Sequence, residues 1–179
     1  KNNYMKKNKK EGEMIDYENK MMAMFKLQRE SKQIYEKKIG LACDHTGFEY
    51  KEKVKTLLVS KNIEVNDFGC CSEESVDYPD FAHKLAESIE NKENELGIQF
   101  CGTGNGINMS VNKHQGIRAA LCWNPHIAEQ SRLHNNANVL TMPARHLEWE
   151  EVEKIVEAFL NTEFEGGRHE IRVNKIKIN

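Results

Sequence analysis

Cys101 is followed at once by Gly102-Thr103-Gly104-Asn105-Gly106 and preceded by an apolar run through Leu96, Ile98 and Phe100. Residues from Ile107 to Asn112 then take up helical spacing. A strand, a glycine turn and a helix in that order point backbone N–H groups at a common spot suited to negative charge. Glycine lets the chain curl there without a Cβ in the way of a ligand. Cys101 closes the strand, so its sulfur is expected to face that spot, with the thiolate form favoured.

Three chemistries use a glycine loop at a strand end. A dinucleotide site wants G-x-G-x-x-G and an acidic residue about 20 positions on. Here the glycines run G-x-G-x-G, and the next strand ends at Cys122-Trp123-Asn124 without a carboxylate. A cysteine phosphatase needs an arginine six places after its nucleophile, and that place holds Ile107. What remains is a cysteine beside a developing oxyanion held by amides, which suits proton abstraction next to a carbonyl. A buried, inert strand cysteine stays open as the other reading of these residues. Further on, Gly166-Gly167-Arg168-His169-Glu170-Ile171-Arg172 carries two arginines four residues apart. On a helix they share one face and offer paired forks for a phosphate. The competing reading is a solvated tail with incidental surface pairs.

The elements that must position these residues begin at Lys37. Ile39 to Cys43 reads as a buried strand ending at Asp44-His45, and Phe48, Tyr50, Val54, Leu57 and Leu58 follow at helical intervals. Ile63, Val65 and Phe68 alternate as a second strand, and Asp77-Tyr78-Pro79 opens a helix with proline in its first turn. The cysteine strand is third. Ile117 to Cys122 reads as a fourth strand, Pro125 to Leu133 as a helix, Val139 to Met142 as a fifth strand, and Val152 to Leu160 as the last long helix. Alternation of this kind predicts right-handed crossovers and a five-stranded parallel, Rossmann-like sheet in an α/β/α sandwich. Ligands of such sheets sit at the carboxyl ends of strands. Asp44, His45, Cys101, Thr103, Asn124 and the Arg145 region are therefore the candidates.

With 179 residues, one α/β domain is expected, and a net charge of −2 lends no support to a nucleic-acid partner. No apolar run reaches the length of a membrane span, and no secretory leader is visible. Five cysteines in a domain with a full core read as free thiols, so the cytoplasm is the expected compartment. Residues 1–36 are rich in Lys, Asn, Glu and Met, with Met21, Met22, Met24, Phe25 and Leu27 at their centre. They read as an appended arm, partly disordered or helical, ahead of a catalytic domain at 37–179. His83, His114, His126 and His146 show no converging set, Cys43 and Cys122 read as core, and Cys70-Cys71 as a loop pair.

Taken together, these segments resemble the ribose-5-phosphate isomerase B family, which includes galactose-6-phosphate and allose-6-phosphate isomerases. The resemblance covers about 37–173: G-L-A-C-D-H-T-G from Gly40, Asp77-Tyr78-Pro79, C-G-T-G-N-G from Cys101, and Asn112-Lys113. It continues through Gly116 to Ala119, Ser131-Arg132-Leu133-His134-Asn135, Asn138 to Leu140, Arg145, and Gly166 to Arg172. It implies interconversion of ribose 5-phosphate and ribulose 5-phosphate, without a metal or other cofactor. The alternatives are a six-carbon sugar phosphate as substrate, or a non-catalytic sugar-phosphate sensor. By resemblance Cys101 is the base at carbon 2, Thr103 passes a proton between the enediol oxygens, and His134 opens the sugar ring. The amides of Gly102, Gly104, Asn105 and Gly106 would hold the enediolate. Asp44, Tyr78 and Asn135 would bind hydroxyls, while His45, Arg145, Arg168 and Arg172 would surround the phosphate. Some relatives use a glutamate at the position of Ile107, so Ile107 fits the cysteine version. Sites of the family lie between subunits, which implies a homodimer or a dimer of dimers. Pro143 departs from the usual glycine, and its fixed φ and missing N–H predict an altered Arg145 loop.

Overall fold

The structure, a computed structural model, describes residues 19–24 and 37–177. Contacts divide the chain into Lys1–Ile34 and Tyr35–Asn179. Within the first unit, residues 19–24 are helical, and the rest of the expected arm, Phe25 and Leu27 included, lies outside the described residues.

Strands β1 (Lys38–Cys43), β2 (Glu64–Asp67), β3 (Leu96–Cys101), β4 (Ala119–Leu121) and β5 (Val139–Pro143) alternate with helices in the second unit. The helices are α1 (Phe48–Ser60), α2 (Tyr78–Glu90), α3 (Asn105–Val111), α4 (Pro125–Asn135), α5 (Trp149–Asn161) and α6 (Arg168–Val173). All strand pairs are parallel, in the order β2-β1-β3-β5-β4. The central strands are apolar on both faces, since Ile39, Leu41, Ala42, Ile98 and Phe100 are all fully buried. A parallel sheet covered by helices on both sides requires that pattern. Right-handed crossovers put α2 and α3 on one face and α1, α4 and α5 on the other, and the α2–α3 and α4–α5 pairs pack together. The expected three-layer sandwich is what forms.

Local chemistry sets the helix ends. Asn124 caps α4 by accepting from the Ile127 N–H at 2.9 Å, with Pro125 in the first turn. Strand β4 is shorter than the expected Ile117–Cys122 stretch because it is an edge strand, paired only with β5. Its outer side meets a side chain instead: Asn112 Oδ1 accepts from the Ala119 N–H at 2.8 Å, and Nδ2 donates to the Ala119 carbonyl at 3.0 Å.

The chain leaves β1 toward β2 on one side, whereas β3, β5 and β4 lie on the other. Crossovers diverge at this reversal, which opens a crevice above the carboxyl ends of β1 and β3. Asp44 and Cys101 stand at those two ends.

Candidate active site

Strand register brings Cys43 beside Phe100, and the next residues, Asp44 and Cys101, close the two strands at the crevice. Asp44 is only 5 % exposed. Its Oδ1 accepts from Thr46 N at 2.9 Å, Thr46 Oγ1 at 2.6 Å and Gly47 N at 3.1 Å, and so winds the short 3-10 turn His45–Gly47. His45 is fixed by the Val76 N–H, which donates to its Nδ1 at 3.3 Å. Gly104 begins α3 at a φ of 74°, a left-handed conformation, and a Cβ there would come within 2.5 Å of Leu121 Cδ1. A Cβ on Gly106 would meet the Tyr78 ring at 2.6 Å, so Tyr78 lies directly against the loop. Thr103 and Asn105 are exposed at its rim, and Thr103 Oγ1 accepts from Asn105 N at 3.4 Å.

The structure corrects the expected state of Cys101. Burial and then the Asp44 carboxylate, which accepts from the thiol, push its pKa up, while the Gly104 and Ile107 amides pull the other way. The balance leaves a raised pKa and a resting neutral thiol. The helix contributes little against this, because α3 has only seven residues; the stabilising donors are individual amides. Pro143 pairs with Cys101 at the end of β5, and Arg145 donates its N–H to the Gly102 carbonyl at 3.1 Å. A Cβ on Gly102 would lie 3.4 Å from Arg145 Nε. The proline therefore leaves Arg145 over the glycine loop.

The other predicted residues stand elsewhere. Helix α4 starts at the carboxyl end of β4 and runs back over about 16 Å, so His134 and Asn135 reach the amino ends of the strands. Bonds tie this pole together: Asn138 accepts from Gly97 N at 2.8 Å, and Leu133 accepts from Glu165 N at 3.1 Å. Gly166 and Gly167 have φ of 71° and 55°, and they turn the chain into α6 with Arg168 and Arg172 exposed. The chain thus gathers Asp44, His45, Tyr78, Cys101, Thr103 and Arg145 at one pole. His134, Asn135, Arg168 and Arg172 gather at the opposite one.

Sequence reasoning missed two residues at this second pole. The His169 and His134 rings stack at 4.1 Å between centroids with 7° between planes. Glu165 Oε2 lies 3.9 Å from each Nε2. The only sequence signal was the four-residue step from Glu165 to His169. These three groups form the metal-capable set found among the described residues, with ligand atoms within 4.8 Å of one another. Two imidazoles and a carboxylate suit zinc, but parallel rings aim their lone pairs side by side rather than at one point. Arg168 Nε also donates to His169 Nε2 at 3.3 Å. The set is a stack, not a cage.

Two of the histidines expected to stand apart do converge. Glu90 Oε2 bonds His114 Nδ1 at 2.9 Å, and His114 Nε2 bonds His83 Nδ1 at 2.9 Å. That chain ties the loop after α3 to α2, and Glu90 is held below the usual carboxylate range by the Gly116 N–H and then by His114. His126 pairs loosely with Glu129 at 3.6 Å. Cys43 and Cys122 are core, as expected. Cys70 turns inward to Cys43, 3.5 Å between sulfurs, and Cys71 faces solvent, so the adjacent thiols do not act as a pair.

Comparison with known proteins follows the same outline. The family described as Ribose/Galactose Isomerase matches residues 39–176. Ribose-5-phosphate isomerase B of Escherichia coli is 44 % identical over 140 residues, which cover 78 % of this chain and 94 % of that protein. A crystal structure of ribose 5-phosphate isomerase from Thermotoga maritima is 52 % identical with a TM-score of 0.78, covering 79 % of this chain and 98 % of that one. Ribose-5-phosphate isomerase B from Mycoplasma genitalium, solved with bound ribulose-5-phosphate, is 42 % identical with a TM-score of 0.75, covering 78 % and 93 %.

Proposed function

The chain belongs to the ribose/galactose isomerase family, and on that premise we propose that it interconverts ribose 5-phosphate and ribulose 5-phosphate through an enediolate. One observation carries this reading: a thiol closes β3 beside a carboxylate and under the amides of a glycine loop. The thiol must lose its proton before it can act, and Asp44, already accepting from it, is the neighbouring group to take that proton. The thiolate then removes the proton from carbon 2 of the open aldose. The electron pair moves toward the carbonyl oxygen, where the loop amides of Gly102, Gly104, Asn105 and Gly106 offset the growing charge. Thr103 at the rim carries the proton from one oxygen to the other, and Cys101 returns its proton to carbon 1.

His134 is assigned to ring opening, a step in which a histidine can both give and accept a proton. Tyr78 and Asn135 are assigned to sugar hydroxyls, and His45, Arg145, Arg168 and Arg172 to the phosphate. These groups stand at opposite poles of one sheet, which supports a site shared by two copies related by a two-fold axis. Large apolar side chains exposed at both poles agree, Trp123 at one and Ile171 and Ile176 at the other. Five free thiols support a cytoplasmic setting, and no helix among the described residues is long and apolar enough to cross a membrane. The test is a coupled assay with ribose 5-phosphate, allose 6-phosphate and galactose 6-phosphate. Fastest turnover of ribose 5-phosphate is expected, and preference for a six-carbon substrate would overturn the assignment.

A further inference from the structure

A ring that must trade protons with a sugar needs its plane held still, because proton transfer falls off steeply with misalignment. His134 is poorly held by its own helix. It lies in the last turn of α4, with 36 % of its side chain exposed. Its firm neighbour comes from the tail. His169 is 8 % exposed at the side chain and lies face to face with His134, 4.1 Å between centroids and 7° from parallel.

His169 is itself held in place. Its backbone N–H donates to the Gly166 carbonyl at 3.0 Å, which fixes the start of its helix, and Arg168 Nε donates to its ring Nε2 at 3.3 Å. Burial, followed by the charges of His134 and Arg168, lowers its pKa, so it remains a neutral plate beside a ring that changes charge. Glu165 Oε2 lies 3.9 Å from both Nε2 atoms, so the two rings turn the same edge toward it.

We propose that His169 is a positioning residue for ring opening, its buried imidazole fixing the plane of His134 by stacking. The proposal rests on the reading of His134 as the ring opener. A flat aromatic surface is what the role needs, so phenylalanine should substitute for histidine, and glutamine, which keeps only an acceptor for Arg168, should not.

The experiment measures two rates for His169→Phe, His169→Gln and His134→Asn in the full chain: isomerisation of ribose 5-phosphate, and exchange of the carbon 1 proton of ribulose 5-phosphate with solvent. The exchange needs only the enediolate and no ring step, whereas the fixed equilibrium constant ties any loss of kcat/KM for isomerisation to both directions alike. His169→Gln is expected to lower kcat from ribose 5-phosphate by about tenfold or more, while the exchange rate and KM change little. His169→Phe is expected to retain most of the wild-type kcat. A KM rise for both variants would show that His169 only steadies the arginine helix, and a Phe variant as impaired as Gln would show that stacking is not its role. Either result overturns the proposal. If His134→Asn loses isomerisation but keeps exchange and His169→Gln does not, the proposal falls and the ring-opening reading stands. If His134→Asn loses isomerisation and exchange alike, that reading falls and the proposal falls with it.

Discussion

The two poles of the sheet are built in opposite ways. At the carboxyl pole the reacting groups are buried, Asp44 at 5 % and Cys101 at 8 % exposure, and strand register sets their juxtaposition. At the amino pole the guanidiniums of Arg168 and Arg172 stand in solvent on a six-residue helix beyond two left-handed glycines. Burial tunes a thiol by desolvation but would penalise unpaired guanidiniums heavily. The groups proposed for the proton shift are thus fixed by burial and strand pairing, whereas the tail arginines proposed for the phosphate stand on the surface, where a second copy could use them.

The sharpest way to break this contrast is to damage one pole in each of two chains. Cys101→Ala alone should lower kcat at least about a thousandfold, within the range for loss of a general base. Mixing it, after dissociation and reassociation, with His134→Asn should restore about one quarter of wild-type activity. Half the dimers would be mixed, each with one intact site of two. Activity no greater than the sum of the two parents would place both poles' functions within single chains.

Arg168→Ala or Arg172→Ala should each lower kcat/KM for ribose 5-phosphate by roughly ten- to a hundredfold, from a charged hydrogen bond of about 1.5–3 kcal/mol. Lysine should restore only part, because it lacks the fork. Trace activity on unphosphorylated ribose should be unchanged, and equal loss on both sugars would make the tail structural instead. The smallest effect sharpens the other pole. Alkylation of Cys101, followed by mass spectrometry, should rise with pH along a curve displaced above that of a free thiol, since burial and then Asp44 raise its pKa. Asp44→Asn should move the Cys101 curve downward, since it removes the carboxylate that disfavours the thiolate. An unmoved curve would leave burial as the whole cause.

The periodic pattern made the sandwich legible, because helix and strand spacing are written locally. The state of Cys101 was not legible in that way. The glycine loop correctly announced amides at the sulfur, but Asp44 lies 57 positions earlier in the sequence and meets the thiol only through the β1–β3 pairing. His169 was overlooked for a similar reason. Between two arginines it looked like tail, and its partner His134 belongs to a different helix. His83 and His114 became a chain only when α2 and the loop after α3 packed together.

The side chain of Asn112 mimics a sixth strand for one residue, presenting an acceptor and a donor to the outer edge of β4. A bare edge strand is a template on which other chains can polymerise. Here a single amide plugs the edge at Ala119, the first of only three strand residues. Growth of the sheet from copy to copy is thereby discouraged on this side. Any contact between copies at this edge would have to run through side chains rather than through a continued sheet.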